Sequence, residues 1–575
     1  MRRLALIALF GLAACPPTRA VGEAGDTVIT DVTVVPMTSD QELAHQTVVI
    51  RDGKILEIVP ADARVARRAT VIDGKGKWLM PGLADMHVHT WRPSDMTLFV
   101  AAGVTTIRNM WGTPLHLQFR KAVAAGVLGP TIITSGNLID GPQAPWVGSY
   151  ELTSPFEADA IVEAEKAAGY DFVKVVNKLS PEAYDALARS AAAHQRDVAG
   201  HVPWKGRLDA VLKAHQHSVE HLDGVLDKLV ADPGTLPPNE DDAWVPAILE
   251  GADIARLTAL YPKFAAAHTW NCPTLVANEA TPELGTADDF EKATQWLQLI
   301  PPAQRVLWRQ SFATRALTPE QKAQMGLLVK LYGAVAATMV NANQKILVGT
   351  DCGGPYDVAG ESLHQEIEKL VGYGASRPKV MRAATADAWK FLNEMPGFAA
   401  THRGVIEPGA IADLLLVPVD PMTKPLPLVP DIVFLGGTQH TKDELEQKLA
   451  SLTKIHNTVL TAQPGWSLDL IDGTPVGTYT TSATMTKSVD FASSLAVTIE
   501  IKGDAIDLQA DFRGMQEHLQ GAPDPADKTR FKIKGTVFSG QHIEQTVPFG
   551  TSEKMRDAML GVGRLALRDH TYVDQ

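Results

Sequence analysis

A repeated alternation of short apolar strands with helical segments, beginning near residue 80, is the feature that most constrains how this chain folds. Such alternation is typical of successive βαβ units, which build a parallel sheet. Eight candidate strands lie near residues 82–89, 103–109, 130–136, 171–176, 197–202, 217–222, 269–276 and 345–351. Because eight strands close a (β/α)8 barrel, the pattern predicts an α/β fold with a TIM barrel over residues 81–400.

Helices between these strands can be placed from their capping residues. Ser180 precedes Pro181, an N-cap followed by proline at the first helical position, and a second helix is predicted from about Glu361. The stretches 223–268 and 277–344 are longer than simple crossovers need. We therefore expect insertions over the mouth of the barrel, where substrate selection could reside.

Two histidines end the first predicted strand, in Asp85-Met86-His87-Val88-His89. Residues two apart in a strand point to the same face, so His87 and His89 can reach one metal ion together. Taken alone, the pair could also be two polar residues at a strand end. The other strands add weight to the metal interpretation.

Four further strands end in residues that bind metals or react. Lys174 lies among valines in the fourth strand, His201 and His221 end the fifth and sixth, and Asp351 ends the eighth. A lysine buried in a barrel has a lowered pKa and a reactive amine, although a lysine reaching outward from the rim is the alternative. Active sites of such barrels occupy the carboxyl ends of the strands, so this set predicts a metal centre there.

With these residues in place, the chain resembles the amidohydrolase superfamily, nearest its imidazolonepropionase-like and prolidase-like branch. The resemblance covers roughly residues 27–425 and departs in Arg108-Asn109, where many relatives have an acidic residue after the arginine. It includes the strand-end residues above, Gly349-Thr350-Asp351, Ala383-Ala384-Thr385 and Pro408-Gly409-Ala410-Ile411-Ala412-Asp413. The resemblance implies that residues 27–80 and 403–425 fold together as a small composite β-sandwich beside the barrel.

The same resemblance implies two divalent metal ions, usually zinc. His87, His89 and Asp351 would hold one ion, His201 and His221 the other, and a carboxylated Lys174 would bridge them. A metal-bridged hydroxide would then attack a C–N bond of an amide, peptide or cyclic amide. Asp351 would accept the proton and return it to the leaving amine.

Several activities fit this set of residues. An Xaa-Pro dipeptidase or an N-acyl amino acid hydrolase comes first, followed by a phosphotriesterase-like hydrolase or a mononuclear deaminase, for which Lys174 would be superfluous. A non-catalytic binding lipoprotein would not require the complete ligand set. Nucleophilic catalysis by Cys352 is disfavoured because no partnered base is evident. Cys272, on the neighbouring strand, could approach Cys352, but sequence does not give their distance.

Candidate substrate contacts are mostly aromatic residues in the loops that follow strands, since aromatics commonly line such pockets. They are Tyr356, Trp146, Tyr150 and Trp204, each with simple packing as the alternative. Arg108 could meet a substrate carboxylate, although an internal ion pair fits it better.

The first 20 residues predict a signal peptide. Arg2 and Arg3 precede an apolar run, and Leu12-Ala13-Ala14-Cys15 resembles a bacterial lipobox, in which the cysteine is lipidated. We therefore expect an exported periplasmic or outer-membrane lipoprotein associated with the membrane through Cys15. Cleavage after Ala20 would instead release a soluble secreted protein.

The net charge and the cysteine content limit the classes of partner that are expected. The formal net charge of −13 argues against nucleic acid, and three cysteines among 575 residues exclude a disulfide framework. A small-molecule amide or peptide is the expected partner, and self-association into a homo-oligomer is compatible with the sequence. Residues 455–575 read as alternating strands, which predicts a separate β-rich domain of unassigned role.

Overall fold

The computed structural model describes residues 20–146, 149–203, 207–237, 243–280, 284–300, 304–305, 308–309, 312 and 318–458, and the strands, with short flanking residues, between 470 and 548. The signal segment, including Cys15, and Trp204 lie outside the described residues.

A parallel sheet forms the centre of the molecule, as the alternation predicts. Its strands, each hydrogen-bonded to the next, are Leu83–Val88, Val104–Asn109, Thr131–Asp140, Phe172–Val175, Val198–Gly200, Ser218–Glu220 and Trp270–Cys272. We call them the first to seventh barrel strands. A short strand, Tyr150–Glu151, pairs with the end of the third.

The segment 345–352 closes this sheet into a barrel. The Asn271 amide donates to the Lys345 carbonyl at 3.0 Å on one side, and the Met86 amide donates to the Val348 carbonyl at 2.9 Å on the other. The segment therefore lies between the seventh and first strands and is the eighth strand of the prediction, although only isolated bridges join it to its neighbours. The (β/α)8 barrel is confirmed.

Helices surround the barrel and cover its apolar outer face. The Ser180 hydroxyl accepts from the Ala183 amide at 3.2 Å, so the predicted cap is present, and the helix predicted from Glu361 begins there. The α-helices described are Pro93–Ala101, Pro114–Ala124, Ala158–Ala168, Pro181–Ala193, Arg207–Lys213, Trp244–Gly251, Leu257–Ala267, Leu275–Glu279, Ala287–Ala293, Pro319–Asn341, Glu361–Gly372, Arg377–Ala383, Ala386–Glu394 and Lys442–Thr458.

Two of these helices need separate description, because one has the composition of a membrane span and the other closes one end of the barrel. Pro319–Asn341 has the length and mean hydropathy, 1.4, of a membrane span by composition alone. It contacts the helix Glu361–Gly372, and Gly333 lies so close to Tyr373 that an added Cβ would come within 2.3 Å of the ring. Ala386–Glu394 closes the amino-terminal end of the barrel, where Phe391 packs edge-on to Trp270.

The segments on either side of the barrel share one mixed sheet with its own apolar cluster, as the resemblance implies. The sheet extends beyond residue 425 to two further strands and is followed by the helix Lys442–Thr458, neither of which the sequence predicted. Its strands are Thr27–Val34, Leu43–Arg51, Lys54–Pro60, Thr70–Asp73, Trp78–Pro81, Leu414–Val417, Ile432–Leu435 and Thr438–Thr441.

The C-terminal region is β-rich, as predicted. A two-stranded pair, Leu470–Ile471 with Thr474–Pro475, precedes an antiparallel sheet in which each strand pairs with the next along the chain. The sheet consists of Gly477–Met485, Ser493–Lys502, Ala505–Phe512, Met515–Pro523, Arg530–Thr536 and His542–Pro548.

Candidate metal centre

The first and eighth strands bring two histidines and an aspartate together at the carboxyl end of the barrel. Asp351 Oδ1 lies 2.8 Å from His89 Nε2 and 3.2 Å from His87 Nε2. The Asp351 backbone has φ of 64°, a left-handed conformation, and its amide donates to the His87 carbonyl at 2.7 Å. Strain of this kind persists where neighbouring structure enforces it, and it is common at functional sites.

The histidines of the fifth and sixth strands complete an arc of imidazole rings. The centroid of the His221 ring lies 4.8 Å from that of His87 and 4.7 Å from that of His201. His221 Nδ1 lies 2.6 Å from the Thr274 hydroxyl, which leaves Nε2 facing the arc. A hydrogen bond to one ring nitrogen sets the orientation in which the other can bind a metal.

Ligand atoms from His87, His221 and Asp351 lie within 4.8 Å of one another, close enough to share an ion. His89 Nδ1 is buried without a hydrogen-bond partner, and the nearest carboxylate oxygens to the buried His87 Nε2 and His201 Nδ1 belong to Asp351 at 3.2 Å and Asp223 at 3.4 Å. A buried polar atom without a partner is costly, and a bound cation would remove that cost. The donor set therefore fits a metal centre.

Lys174 projects from the fourth strand into the same space. Its side chain is 1% exposed and its Nζ has no hydrogen-bond partner. Burial lowers its pKa to about 8, so about one tenth of the molecules carry the free amine at pH 7, far more than for an ordinary exposed lysine. Gly200 makes room for it, because a Cβ there would lie 3.1 Å from the Lys174 Cδ and 2.2 Å from the Val175 carbonyl oxygen.

The ionisation states also suit metal binding, which needs neutral imidazole and ionised carboxylate. Burial lowers the pKa of His221 to about 3 and, together with the Lys174 charge, the pKa of His201 well below its usual value. Burial acts in the opposite sense on Asp351, but its contacts with the His87 and His89 rings outweigh it and hold its pKa well below the usual range.

Behind His87 lies a buried ion pair whose carboxylate the sequence reasoning missed. Glu220 Oε2 lies 2.8 Å from His87 Nδ1, and Arg108 Nη2 donates to Glu220 Oε1 at 2.9 Å. Burial alone would raise the pKa of Glu220, but the Arg108 charge and the contact with His87 outweigh it and hold the pKa well below normal. The available signal was a charged residue inside a buried strand, immediately before His221.

Arg108 is consequently not a substrate contact. Its side chain is completely buried, and its Nε donates to the Met86 carbonyl at 2.6 Å. The guanidinium also packs over the Phe391 ring at 4.8 Å. Of the two interpretations of Arg108, this arrangement supports the internal ion pair. The polar contacts of Arg108 lie beneath the histidines rather than at the mouth of the barrel.

A second buried carboxylate, Asp85, joins the strands that meet at the centre. Its Oδ1 accepts from the Thr350 amide at 3.0 Å and its Oδ2 from the Thr350 hydroxyl at 2.8 Å. Burial raises the pKa of Asp85 to about 7. The contact fixes the first strand against the segment that presents Asp351.

The aromatic candidates occupy different environments. Tyr356 is 3% exposed within a cluster of rings, and its hydroxyl donates to Glu291 at 3.2 Å, so it has the packing role. Trp146 is 52% exposed and contacts Trp111. Tyr150 is half-buried in the short strand beside the third barrel strand.

The two described cysteines are buried and unpaired with each other. Cys272 lies beneath the centre, where its Sγ, Glu220 and His87 offer ligand atoms within 4.8 Å of one another. Burial raises the pKa of both thiols well above the usual value, which disfavours a nucleophilic thiolate.

Solved structures of other proteins are similar to the structure of this chain. The computed structure is similar to that of bottromycin amidohydrolase, with a TM-score of 0.60 and 27% identity over 75% of this chain and 90% of the other. It also resembles a putative prolidase from Bifidobacterium longum, with a TM-score of 0.53 and 23% identity over 74% and 99% of the two chains. The second likeness bears on the fold alone.

Sequence similarity to curated proteins is local. A dihydroorotase of Anaeromyxobacter dehalogenans (strain 2CP-C) is 46% identical over 99 residues, which is 14% of this chain and 23% of that protein. A 5'-deoxyadenosine deaminase of Methanosarcina acetivorans is 44% identical over 75 residues, 13% of this chain and 16% of that protein. The chain thus spans less than a quarter of these curated relatives, and no family model matches it.

Proposed function

Because the chain belongs to the amidohydrolase superfamily, we propose that it is a metal-dependent hydrolase of a C–N bond in a small amide or peptide. The observation that carries the proposal is the convergence of His87, His221 and Asp351 beside a buried, unpartnered Lys174 amine. A binding scaffold would gain nothing from burying a lysine amine without a hydrogen bond.

The finer proposal is a binuclear centre, with zinc as the expected metal. His87, His89 and Asp351 would hold one ion and His201 and His221 the other, with carboxylated Lys174 shared between them. When bound, such ions lower the pKa of water and polarise a carbonyl.

The residues of the chain supply positioning and proton transfer. Asp351 is ionised and 26% exposed, so it can take a proton at Oδ1 or Oδ2 and return it to a leaving amine. Glu220 holds the His87 ring through Nδ1, and Thr274 holds the His221 ring in the same way. These partners fix both rings before a substrate arrives.

Dipeptides ending in proline and N-acyl amino acids head the list of proposed substrates. One similar structure is described as a Xaa-Pro dipeptidase and another as bottromycin amidohydrolase. The local similarity to 5'-deoxyadenosine deaminase favours a second candidate, deamination at a single ion. In that case Lys174 would bridge nothing and its replacement would have little effect.

The test is the metal content of the purified mature protein, combined with hydrolysis of Xaa-Pro and N-acyl amino acid substrates before and after chelation. We expect about two ions per chain, loss of activity on chelation and recovery with zinc. Lys174→Ala should lose the second ion and most activity, whereas Lys166→Ala, at an exposed lysine on the preceding helix, should retain both. About one ion per chain with an active Lys174→Ala enzyme would favour the deaminase. A chain that binds no metal after reconstitution would contradict both.

We further propose that the protein is exported and anchored by lipid at Cys15, with the soluble secreted form as the alternative. The support is the basic and apolar N-terminus with its lipobox-like sequence. Mass spectrometry of the mature N-terminus should find a diacylglyceryl cysteine, and Cys15→Ala should leave the membrane fraction. An unmodified N-terminus at residue 21 would support the soluble form.

A further inference from the structure

Three tryptophans follow the first three barrel strands and meet at the barrel mouth. Trp91 comes after the first strand, Trp111 after the second and Trp146 after the third. The Trp111 ring lies edge-on to Trp91 at 5.1 Å between centroids and to Trp146 at 6.2 Å. We call these residues the tryptophan row.

The middle ring of the row borders the candidate metal centre. The centroid of the Trp111 ring lies 6.0 Å from that of His89, whose side chain is 21% exposed. Trp111 itself is 7% exposed, Trp91 is partly exposed and Trp146 is 52% exposed. The middle ring is therefore buried next to His89, and the largest accessible aromatic surface of the row belongs to Trp146.

The inner part of the row is held rigidly. The Asn109 side-chain amide donates to the Trp111 carbonyl at 2.8 Å, and Trp111 packs in a small apolar cluster. His116 backs Trp91 at 5.2 Å between ring centroids, and its Nε2 lies 2.5 Å from the Thr90 carbonyl. Rings fixed in this way cost little entropy when a ligand packs against them.

A neighbouring aromatic cluster provides a contrast. Tyr356 is enclosed by Phe290, Trp308 and Phe312, with ring centroids between 5.1 and 5.8 Å from its own. Those rings pack against one another and leave Tyr356 only 3% exposed. In the tryptophan row, by contrast, the Trp146 ring has much of its surface in water and lies one ring away from His89, so it is within reach of a ligand bound at the centre.

We propose that the tryptophan row is a substrate subsite for a flat aromatic group, and that the preferred substrates are amides or peptides with an aromatic side chain next to the scissile bond. The inference rests on the proposed hydrolase function and names its substrate class. Edge-on indole rings offer both faces and edges to a planar ring, and such pairs are favoured beyond the area they bury.

The test separates aromatic recognition from catalysis by using two acids that are not hydrolysed. Titration with 3-phenylpropionate and 3-cyclohexylpropionate, followed by calorimetry on metal-loaded protein, compares a flat ring with a puckered one. We expect the phenyl acid to bind about three- to tenfold more tightly. Trp146→Ala should abolish this preference, and Trp146→Phe should retain most of it. Phe156→Ala, which removes a 95% exposed aromatic ring outside the row, should leave it unchanged.

Kinetic measurements then distinguish a failure of the subsite from a failure of the proposed hydrolase function. Phenylalanine-containing amides should have a higher kcat/KM than cyclohexylalanine analogues with the same scissile bond, and Trp146→Ala should remove the difference. Equal binding of the two acids by the unaltered protein, or an unchanged preference in Trp146→Ala, would overturn the subsite. Hydrolysis without aromatic preference would overturn the subsite alone, whereas selective binding without hydrolysis of any amide would overturn the proposed function and leave the subsite standing.

Discussion

Replacing Glu220 with glutamine removes one charge from the most buried ion pair near the candidate centre. Glu220 accepts from Arg108 at 2.9 and 3.1 Å, lies 2.8 Å from His87 Nδ1 and also accepts from the Ser218 hydroxyl. The side chains of Glu220 and Arg108 are both completely buried. A glutamine preserves the shape but leaves the Arg108 charge unpaired.

The expected loss follows from that burial. Breaking a buried ion pair by removing one partner costs about 3–5 kcal/mol, because the remaining charge stays out of water without compensation. The glutamine oxygen can still accept one hydrogen bond, so we expect the lower end, about 3 kcal/mol of unfolding free energy. His87 also loses its orienting carboxylate, which should weaken metal binding roughly 10- to 100-fold.

Urea unfolding followed by circular dichroism measures the first effect, and competition with a metallochromic chelator measures the second. Asp185→Asn is the matched control, because its partner Arg189 and Asp185 are 68% and 62% exposed, and it should change little. The double variant Arg108→Met with Glu220→Leu should be more stable than Glu220→Gln, since no lone charge remains. A Glu220→Gln loss below about 1 kcal/mol, the range of an exposed pair, would refute the reasoning.

Three further outcomes are expected. Gly200→Ala should destabilise the fold and reduce metal content, because its φ is 137° and its Cβ would lie 2.2 Å from the Val175 carbonyl oxygen; native-like unfolding and metal content would contradict this. Burial lowers the pKa of His217, but hydrogen bonds and charges of Asp197 and Glu394 outweigh it and raise the pKa above normal. Protonated His217 should therefore stabilise the protein fully below about pH 6.5, and this stabilisation should be lost as the pH rises through the raised pKa of His217. Asp197→Asn should make the free energy of urea unfolding less dependent on pH. An unchanged pH profile in Asp197→Asn would contradict this prediction. Cys272 and Cys352 should not react with a thiol reagent until urea unfolds the chain, and rapid labelling of either residue in native protein would show that its thiol is accessible.

Much of the architecture could be read from local patterns. All eight strands lie where the alternation of apolar runs predicts them, because burial between helices requires continuous apolar segments. The cap at Ser180 and the helix from Glu361 also depend on neighbouring residues alone. The helix Lys442–Thr458 was missed, since no element was predicted between residues 425 and 455.

The candidate metal centre was likewise predicted only in part from the sequence. Barrel closure brings strand ends together, so the sequence predicted that His87, His201, His221 and Asp351 would meet, and the structure places them within reach of one another. Glu220 was missed because its importance depends on contacts with residues more than 100 positions away. A charge inside a buried strand signals that Glu220 needs a partner, but no local pattern identifies Arg108 and His87 as its partners.

By itself, the sequence determined the barrel, its order of strands and the residue types at the strand ends, because each depends on periodicity or on position within one strand. Only the tertiary structure decided which polar groups pair beneath the centre and which rings remain accessible. Arg108 became a buried ion-pair partner and Tyr356 a packed ring, whereas Trp146 kept an open surface. The physical reason is that burial and pairing are properties of space between elements, and loops from distant parts of the chain fill that space.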